Sequence, residues 1–380
     1  FNPNKKRLLN KNIFNSKKKY DYFLCVNGFS LDKSLIEHLR KINPKIQTIL
    51  YLYDSINFYD FTNHFSLFDK VYTFDYVDAK KYNLNINNME IKRRIKNMNI
   101  AWIGTGVMGS SMAKNLAENG YNVYAFSRTL SKCEPLKEFG ITVTSTIKEC
   151  VENADVVFTI VGYPKDVEEV YLGEEGIFKY AKEGAYLIDM TTSSPLLAKK
   201  IYDLGKKFNV LDAPVSGGDI GAKNATLSIM VGGDKKDFDS MYSLFECLGK
   251  NIIYLGEIGS GQNCKACNQI AIAGTVAAVA ESIIYAKKVG LDTKTVLDAI
   301  SKGAAGSWQM QNNGYKMIEK DYAPGFFNKH FIKDMKIAKE VMDEKGEELP
   351  ILNKVLEMYE ELAKDGFEDM GTQSIIEKYL

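Results

Sequence analysis

Residues 98–109 read Met98-Asn-Ile-Ala-Trp-Ile-Gly104-Thr105-Gly106-Val107-Met108-Gly109. The apolar run 99–103 reads as a buried strand, and Met108 to Leu116 continues at helical spacing. Between them stand three glycines in the order G-x-G-x-x-G. The first makes a tight turn, the second lets the backbone approach a pyrophosphate, and the third lets the helix pack on the strand. The helix start adds unpaired N–H groups and a positive dipole end. A second strand at 122–126 completes the context. The loop Gly104-Thr105-Gly106-Val107-Met108-Gly109 therefore has the form of a dinucleotide-binding loop.

Composition breaks just before it. Residues 1–97 hold 18 Lys+Arg against 9 Asp+Glu; the chain's 49 and 48 leave 31 against 39 for the rest. Of 29 glycines only Gly28 precedes residue 98. These shifts place a boundary near Asn97. The acidic, Gly-rich remainder has no nucleic-acid footprint, and the basic surplus of the leader reads as a solvated Lys/Asn-rich tail. The six cysteines, Cys25, Cys133, Cys150, Cys247, Cys264 and Cys267, are sparse for 380 residues. They fit a reducing, cytoplasmic setting rather than a disulfide framework. Cys264 and Cys267 form a C-x-x-C, but no second pair supplies a zinc site, and it opens a long helix rather than a βαβ unit. No metal is expected. No apolar run approaches about 18 residues, so no membrane span or membrane partner is expected.

From residue 98, strands are expected at 99–103, 122–126, 156–161, 186–190, 209–212, 227–232 and 252–255, alternating with helices. That alternation implies a parallel, doubly wound sheet. After Gly261 the strand signal ends. Gln262 to Val289 reads as one long helix capped by Gly290, and its many Ala and Gly predict burial. Helices follow at about 293–302, 307–320, 326–345, 351–364 and 372–379. The domains expected are 98–260, α/β, and 261–380, all-α, with a ligand cleft between them.

Three further segments carry chemistry. Ser127-Arg128-Thr129 ends the second strand, where an acidic residue would hold the ribose hydroxyls of NAD. An Arg there suits the 2′-phosphate of NADP, so NADP is favoured and NAD admitted. Asp212-Ala-Pro-Val-Ser216-Gly217-Gly218 exposes backbone N–H groups and a hydroxyl to a carboxylate or phosphate. In Gly259-Ser-Gly-Gln-Asn-Cys-Lys265-Ala-Cys-Asn268-Gln269, the residues Lys265, Asn268, Gln269 and Ile272 share one helical face. A buried Lys has a lowered pKa, suited to general acid–base work.

The four motifs, in order, are the glycine loop, the Asp212 segment, the Lys265 block and His330-Phe-Ile-Lys333-Asp334. With them, residues 98–380 resemble the β-hydroxyacid dehydrogenases. That family includes 3-hydroxyisobutyrate dehydrogenase, tartronate semialdehyde reductase and the glyoxylate/succinic semialdehyde reductases. The resemblance implies a Rossmann-type domain followed by an all-α domain resembling the C-terminal domain of 6-phosphogluconate dehydrogenase. It implies that Lys265 is the general acid/base with Asn268 beside the reacting oxygen. Ser216, Gly217 and Gly218 would hold the substrate carboxylate, with Gln269 and Trp308 (beside Ser307) shaping the pocket. Val161, Gly162, Tyr163 and Pro164 would line the cofactor, and Thr191, Lys333 and Asp334 would lie at its nicotinamide end. The expected activity is hydride transfer between NAD(P) and a small 3-hydroxy acid, in a homodimer or homotetramer.

Two rivals differ in class. A 2-hydroxy acid dehydrogenase uses a His base, and of His38, His64 and His330 only the last lies in this part of the chain. A non-catalytic NAD(P)-binding module would have no need of Lys265 and Asn268.

Residues 1–97 form their own α/β fragment. Strands are expected at 22–26, 47–53 and 70–74, and helices at 30–42 and 77–83. The runs Ile49-Leu-Tyr-Leu-Tyr-Asp-Ser55 and Phe68-Asp-Lys-Val-Tyr-Thr-Phe-Asp75 resemble the N-terminal half of a bacterial glycosyltransferase. Arg93-Arg94, if encoded AGG-AGG, would be a ribosome-binding sequence at ordinary spacing from a start at Met98. On that reading the leader is the remnant of another reading frame joined to the enzyme. The alternative is an accessory domain.

Overall fold

The structure, a computed structural model, describes residues 22–26, 33–52, 68, 70–73, 85–86 and 98–380. The chain divides into two compact units between Lys96 and Asn97.

In the first unit, β1 (Tyr22–Val26), β2 (Gln47–Leu52), β3 (Lys70–Thr73) and β4 (Asn85–Ile86) pair in that order, all parallel. Helix α1 (Lys33–Ile42) follows β1. Ile36, Leu39, Leu50 and Val71 are buried. The strand β4 was not expected from the sequence. The helix expected at 77–83 and parts of both glycosyltransferase-like runs lie outside the described residues.

The second unit begins with β5 (Asn99–Ile103), the glycine loop and α2 (Val107–Glu118). Strands β6 (Asn122–Phe126), β7 (Thr142–Val143) and β8 (Val156–Thr159) follow, with α3 (Ile147–Val151) before β8. Next come α4 (Pro164–Leu172), α5 (Ile177–Tyr180), β9 (Tyr186–Asp189), α6 (Pro195–Leu204) and β10 (Asn209–Asp212). The sheet ends with β11 (Val215–Ser216), α7 (Gly218–Lys223), β12 (Leu227–Gly233), α8 (Lys235–Glu246) and β13 (Gly249–Tyr254). Its order is β11-β12-β10-β9-β8-β5-β6-β7, with β13 on β12.

From β7 to β10 every pairing is parallel. The expectation of a wholly parallel sheet needs one correction: β12 runs antiparallel to both β10 and β11. Only the short β11 and the six-residue α7 separate β10 from β12. The 14 residues 213–226 are spent on β11, which itself pairs antiparallel with β12, and on α7, so the chain turns back instead of crossing over. The parallel strands read as continuous apolar runs because helices cover both faces. Trp102 and Phe158 stack with ring centroids 5.4 Å apart in one of the two cores so formed.

Helix α9 (Ser260–Lys288) opens the helical part, which continues with α10 (Thr293–Ile300), a π turn at 309–313, α11 (Gly314–Glu319), α12 (Asn328–Asp343) and α13 (Pro350–Leu362). A second π turn spans 363–367, and the segment 372–379 is a 3-10 helix. Gly290, at φ +80°, closes α9 as expected. The N–H groups of Gly290 and Leu291 bond back to the carbonyls of Lys287 and Ala286 at 3.3 and 2.9 Å, a Schellman ending.

Two expectations about α9 are corrected. It is buried on one face only, against α12, α13 and the segment 372–379. Cys267, Ala271, Thr275, Ala278 and Tyr285 on the other face are exposed. Its 29 residues are also long and apolar enough, by length and composition alone, to cross a membrane, where no span is expected from uninterrupted apolar runs. The interspersed Ala, Gly and polar residues hid that length. Here its buried face belongs to a core with Leu297, Phe331, Met335 and Tyr359.

Candidate active site

The strand order reverses beside β5: β6 and β7 lie on one side, β8, β9 and β10 on the other. Loops leaving the carboxyl ends of β5 and β8 diverge there, which opens a crevice at that sheet edge. The glycine loop, Val161–Pro164, Thr191–Ser193 and the Asp212 segment all leave the same edge.

The three loop glycines are constrained differently. Gly104 sits at φ +102°, and a Cβ on it would lie 2.1 Å from the Ile160 carbonyl oxygen. A Cβ on Gly109 would lie 2.1 Å from the Gly104 oxygen. Gly106 has nothing within 4 Å of that position. The outer two glycines are thus demanded by turn and packing. The middle one leaves open space in front of the first turn of α2, whose N–H groups have no intrahelical acceptors. This cradle fits the pyrophosphate of a dinucleotide. Thr105 is buried, its hydroxyl 3.2 Å from the Cys133 sulfur, and its carbonyl accepts from the Ser110 hydroxyl at 3.0 Å.

At the end of β6, Arg128 is 66 % exposed and its Nη1 donates to Asp166 Oδ1 at 2.9 Å. The other oxygen of Asp166 accepts the Tyr163 N–H at 3.0 Å, which caps α4. The Ser127 hydroxyl accepts from the Thr129 N–H at 3.3 Å.

Two buried carboxyls on neighbouring strands, Asp189 and Asp212, stand opposite each other in register. Asp189 Oδ1 accepts from the Thr159 hydroxyl at 2.8 Å and the Thr191 N–H at 3.1 Å. The Thr191 hydroxyl in turn accepts the Val161 N–H at 2.9 Å, joining the loops after β8 and β9. Asp212 is 1 % exposed. Its two oxygens accept the N–H groups of Gly259 and Gln262 at 2.7 and 2.8 Å, which seats the first turn of α9. Burial pushes both carboxyls up to about 6, against the pull of these hydrogen bonds.

Gln262 bridges back to the sheet. Its amide donates to the Thr191 carbonyl at 2.7 Å and accepts the Ser193 N–H at 2.9 Å. One turn further along α9 stands Lys265, 6 % exposed. Among the described residues its ammonium has no hydrogen-bonding partner. Burial pulls its pKa below the usual lysine range; the Asp334 carboxylate works against that shift and Lys333 adds to it. Asn268 donates to Gln269 Oε1 at 2.8 Å, and Gln269 donates to Asp334 Oδ2 at 2.6 Å. Asp334 Oδ1 lies 3.1 Å from the Lys333 ammonium, within ion-pair range but outside hydrogen-bond geometry. Lys333 itself donates to the Thr192 carbonyl at 2.6 Å. A polar chain therefore runs from α9 through α12 to the loop after β9, with Lys265 flanked on its own helix by Gln262 and Gln269.

The Ser216 loop has Gly217 and Gly218 at φ +135° and +63°, which favour glycine at both. It is braced by Asn115 of α2, whose amide donates to the Ala222 carbonyl at 2.8 Å, so the glycine loop's helix and the Ser216 loop are packed together. The nearest neighbour in the Cβ direction of Gly218 is the Gly325 carbonyl at 3.7 Å. Trp308 is 65 % exposed, and the Ser307 hydroxyl accepts the Met310 N–H at 3.1 Å. The His330 ring lies 5.9 Å from that of Tyr163, and burial lowers its pKa. Burial pushes the Cys264 thiol up, away from thiolate chemistry. No cluster of potential metal ligands occurs among the described residues.

Asp212, Asp189, Asp166 and Gln262 were not singled out from the sequence as working residues. Three carried a readable signal: each Asp closes an apolar strand or opens a helix, positions where a carboxylate holds backbone N–H groups. Gln262 stands three residues before Lys265, on the same helical face.

An open glycine cradle at a strand-order reversal, in a chain that also buries a lysine without a hydrogen-bonding partner near the start of α9, fits a dinucleotide-dependent dehydrogenase. The comparisons agree. The family model described as the NAD binding domain of 6-phosphogluconate dehydrogenase matches residues 99–256. That described as NAD-binding of NADP-dependent 3-hydroxyisobutyrate dehydrogenase matches 259–379. An uncharacterized oxidoreductase of Bacillus subtilis, YkwC, is 51% identical over 73% of this chain and 96% of its own length. A probable mitochondrial 3-hydroxyisobutyrate dehydrogenase-like protein of Arabidopsis thaliana is 44% identical over 74% and 84%. The 2-hydroxy-3-oxopropionate reductase of Escherichia coli is 35% identical over 74% and 96%. Among solved structures, the 3-hydroxyisobutyrate dehydrogenase of Mycobacterium tuberculosis with L-serine superposes with a TM-score of 0.70 at 29% identity. It covers 74% of this chain and 99% of that one. The chain belongs to the β-hydroxyacid dehydrogenase family, that of the 3-hydroxyisobutyrate dehydrogenases, and is an NAD(P)-dependent oxidoreductase acting on CH–OH groups.

Proposed function

We propose that the enzyme interconverts a small 3-hydroxy acid of the 3-hydroxyisobutyrate type and its semialdehyde, with NADP the favoured cofactor. The carrying observation is Lys265, buried without a hydrogen-bonding partner on the helical face it shares with Asn268 and Gln269. Residues 98–260 would hold the cofactor: Gly106 and the first turn of α2 at the pyrophosphate, Arg128 at the adenosine ribose, Thr191 and Lys333 toward the nicotinamide. Residues 261–380 would supply the acid–base residue and the subunit contacts of a homo-oligomer. When bound, an NAD(P) cofactor would supply hydride acceptance from the carbinol carbon and hydride donation in the reverse direction. Ser216 and the Gly217 and Gly218 N–H groups hold the carboxylate. Neutral Lys265 accepts the hydroxyl proton during oxidation and, as the ammonium, gives it back during reduction. The Asn268 amide keeps one hydrogen for the reacting oxygen beside the one spent on Gln269.

The relative that reduces 2-hydroxy-3-oxopropionate supports a second reading, in which a semialdehyde of that kind is the substrate. Steady-state rates decide between them. The panel is 3-hydroxyisobutyrate, glycerate, 4-hydroxybutyrate and glycolate, with their oxo partners, each with NADP(H) and NAD(H). Preference for 3-hydroxyisobutyrate supports the first reading. Turnover of none would leave only a binding role.

The acid–base assignment fixes a pH response. Oxidation needs neutral Lys265, so its rate rises with pH through the lowered pKa and then levels; reduction falls over the same interval. The Asp334 carboxylate stabilises the ammonium. Asp334→Asn therefore moves the rising limb of oxidation to lower pH, as read from kcat/KM profiles. A limb that stays put would remove Lys265 as its origin.

A further inference from the structure

We propose that Asp166 is a selectivity residue for the dinucleotide: paired with Arg128, it offsets the charge that would bind a 2′-phosphate, so that phosphorylated and unphosphorylated riboses are both admitted. This rests on the reading of Arg128 as the residue facing the adenosine ribose.

Asp166 opens α4, directly after the loop Val161–Pro164, and its Oδ2 accepts the Tyr163 N–H at 3.0 Å. At this third helical position only that one oxygen is needed to accept the N-cap N–H, and an uncharged amide oxygen serves there as well as a carboxylate. The second oxygen reaches across to Arg128, 38 residues away in sequence, at 2.9 Å. The carboxylate is 9 % exposed and the guanidinium 66 %. The pair is therefore lopsided: a held anion beneath a cation that faces solvent at the carboxyl end of β6, where the ribose of a bound dinucleotide lies. One of the five guanidinium N–H donors faces Asp166, which leaves others for a phosphate. Such a phosphate meets +1 at contact and −1 on the far side of the guanidinium, where Asp166 Oδ1 lies 2.9 Å from Nη1. Its attraction is reduced but not cancelled. A neutral ribose hydroxyl is hardly affected, so selectivity stays shallow.

The test is equilibrium binding by titration calorimetry of adenosine 2′,5′-bisphosphate and adenosine 5′-monophosphate, which differ only in the 2′-phosphate. Asp166→Asn keeps the acceptor for Tyr163 and removes the charge. It should bind the bisphosphate about threefold more tightly at low salt, with the monophosphate unchanged and the gain shrinking at high salt. Asp166→Ser makes the same charge change should the Asn variant not fold. Unchanged or weaker bisphosphate binding in the folded variant overturns the proposal. Arg128→Gln tests the reading beneath it, and should weaken the bisphosphate about tenfold and spare the monophosphate. If Arg128→Gln weakens neither or both alike, Arg128 does not face the ribose. If it discriminates while Asp166→Asn does nothing, only the role of Asp166 falls.

Discussion

Replacing Lys265 by Ala should lower kcat by about 10³- to 10⁴-fold, the upper range for loss of a positioned acid–base group. The dissociation constant for NADPH should stay within about twofold. The expectation follows from where the lysine stands. The residue is 6 % exposed and its ammonium has no hydrogen bond to replace among the described residues, while the cradle at Gly106 belongs to other elements. The methylene stem is apolar, so truncation costs packing at one position of α9 and leaves the core around Phe331 and Tyr359 in place. Fluorescence titration of NADPH and single-turnover rates separate the two effects. A variant that still turns over within about tenfold of the wild type would mean that the proton goes elsewhere. Parallel loss of cofactor affinity would mean that the truncation had disturbed the fold.

Asp212→Ala is expected to damage both stability and catalysis. Two buried N–H groups, of Gly259 and Gln262, lose their acceptor. At about 1–3 kcal/mol for each unsatisfied buried group, partly offset because a carboxylate no longer has to be buried, the loss is about 2–4 kcal/mol. The catalytic cost should be larger in proportion. Lys265 lies one turn beyond Gln262, and a shift of about 1 Å at a reacting group can cost about a hundredfold in rate. Asp212→Asn retains one acceptor and should fall between the two. Thermal melts and kcat, taken at a temperature where all three proteins are folded, give the comparison. Full kcat with only a lowered melting temperature would make Asp212 a structural clamp and nothing more.

Most of the fold of residues 98–380 was legible because its signals are local. The Gly104 turn, the apolar runs of β5, β8 and β9, and the Gly290 helix ending each rest on residues within one window. What escaped is non-local. The antiparallel return of β12 depends on its pairing with β11 and β10, which lie outside its own window of sequence. The exposed face of α9 depends on which helices surround it, since Ala and Gly sit equally well inside and outside. The site divides the same way. Lys265, Asn268 and Gln269 follow from helical spacing on one element. The roles of Asp212 and Gln262 appear only when residues about 50 and 70 positions apart meet. Arg128 was legible as a cation at a strand end, but its tie to Asp166 was not.

The three glycines of the loop answer to different judges. Positions 104 and 109 are held by the chain's own carbonyls, so a side chain at either damages the protein before any guest arrives. Position 106 is held only by what must fit against it. A duplicate of this gene released from its catalytic duty could keep its shape while changing the middle glycine. That is where retirement would first be written.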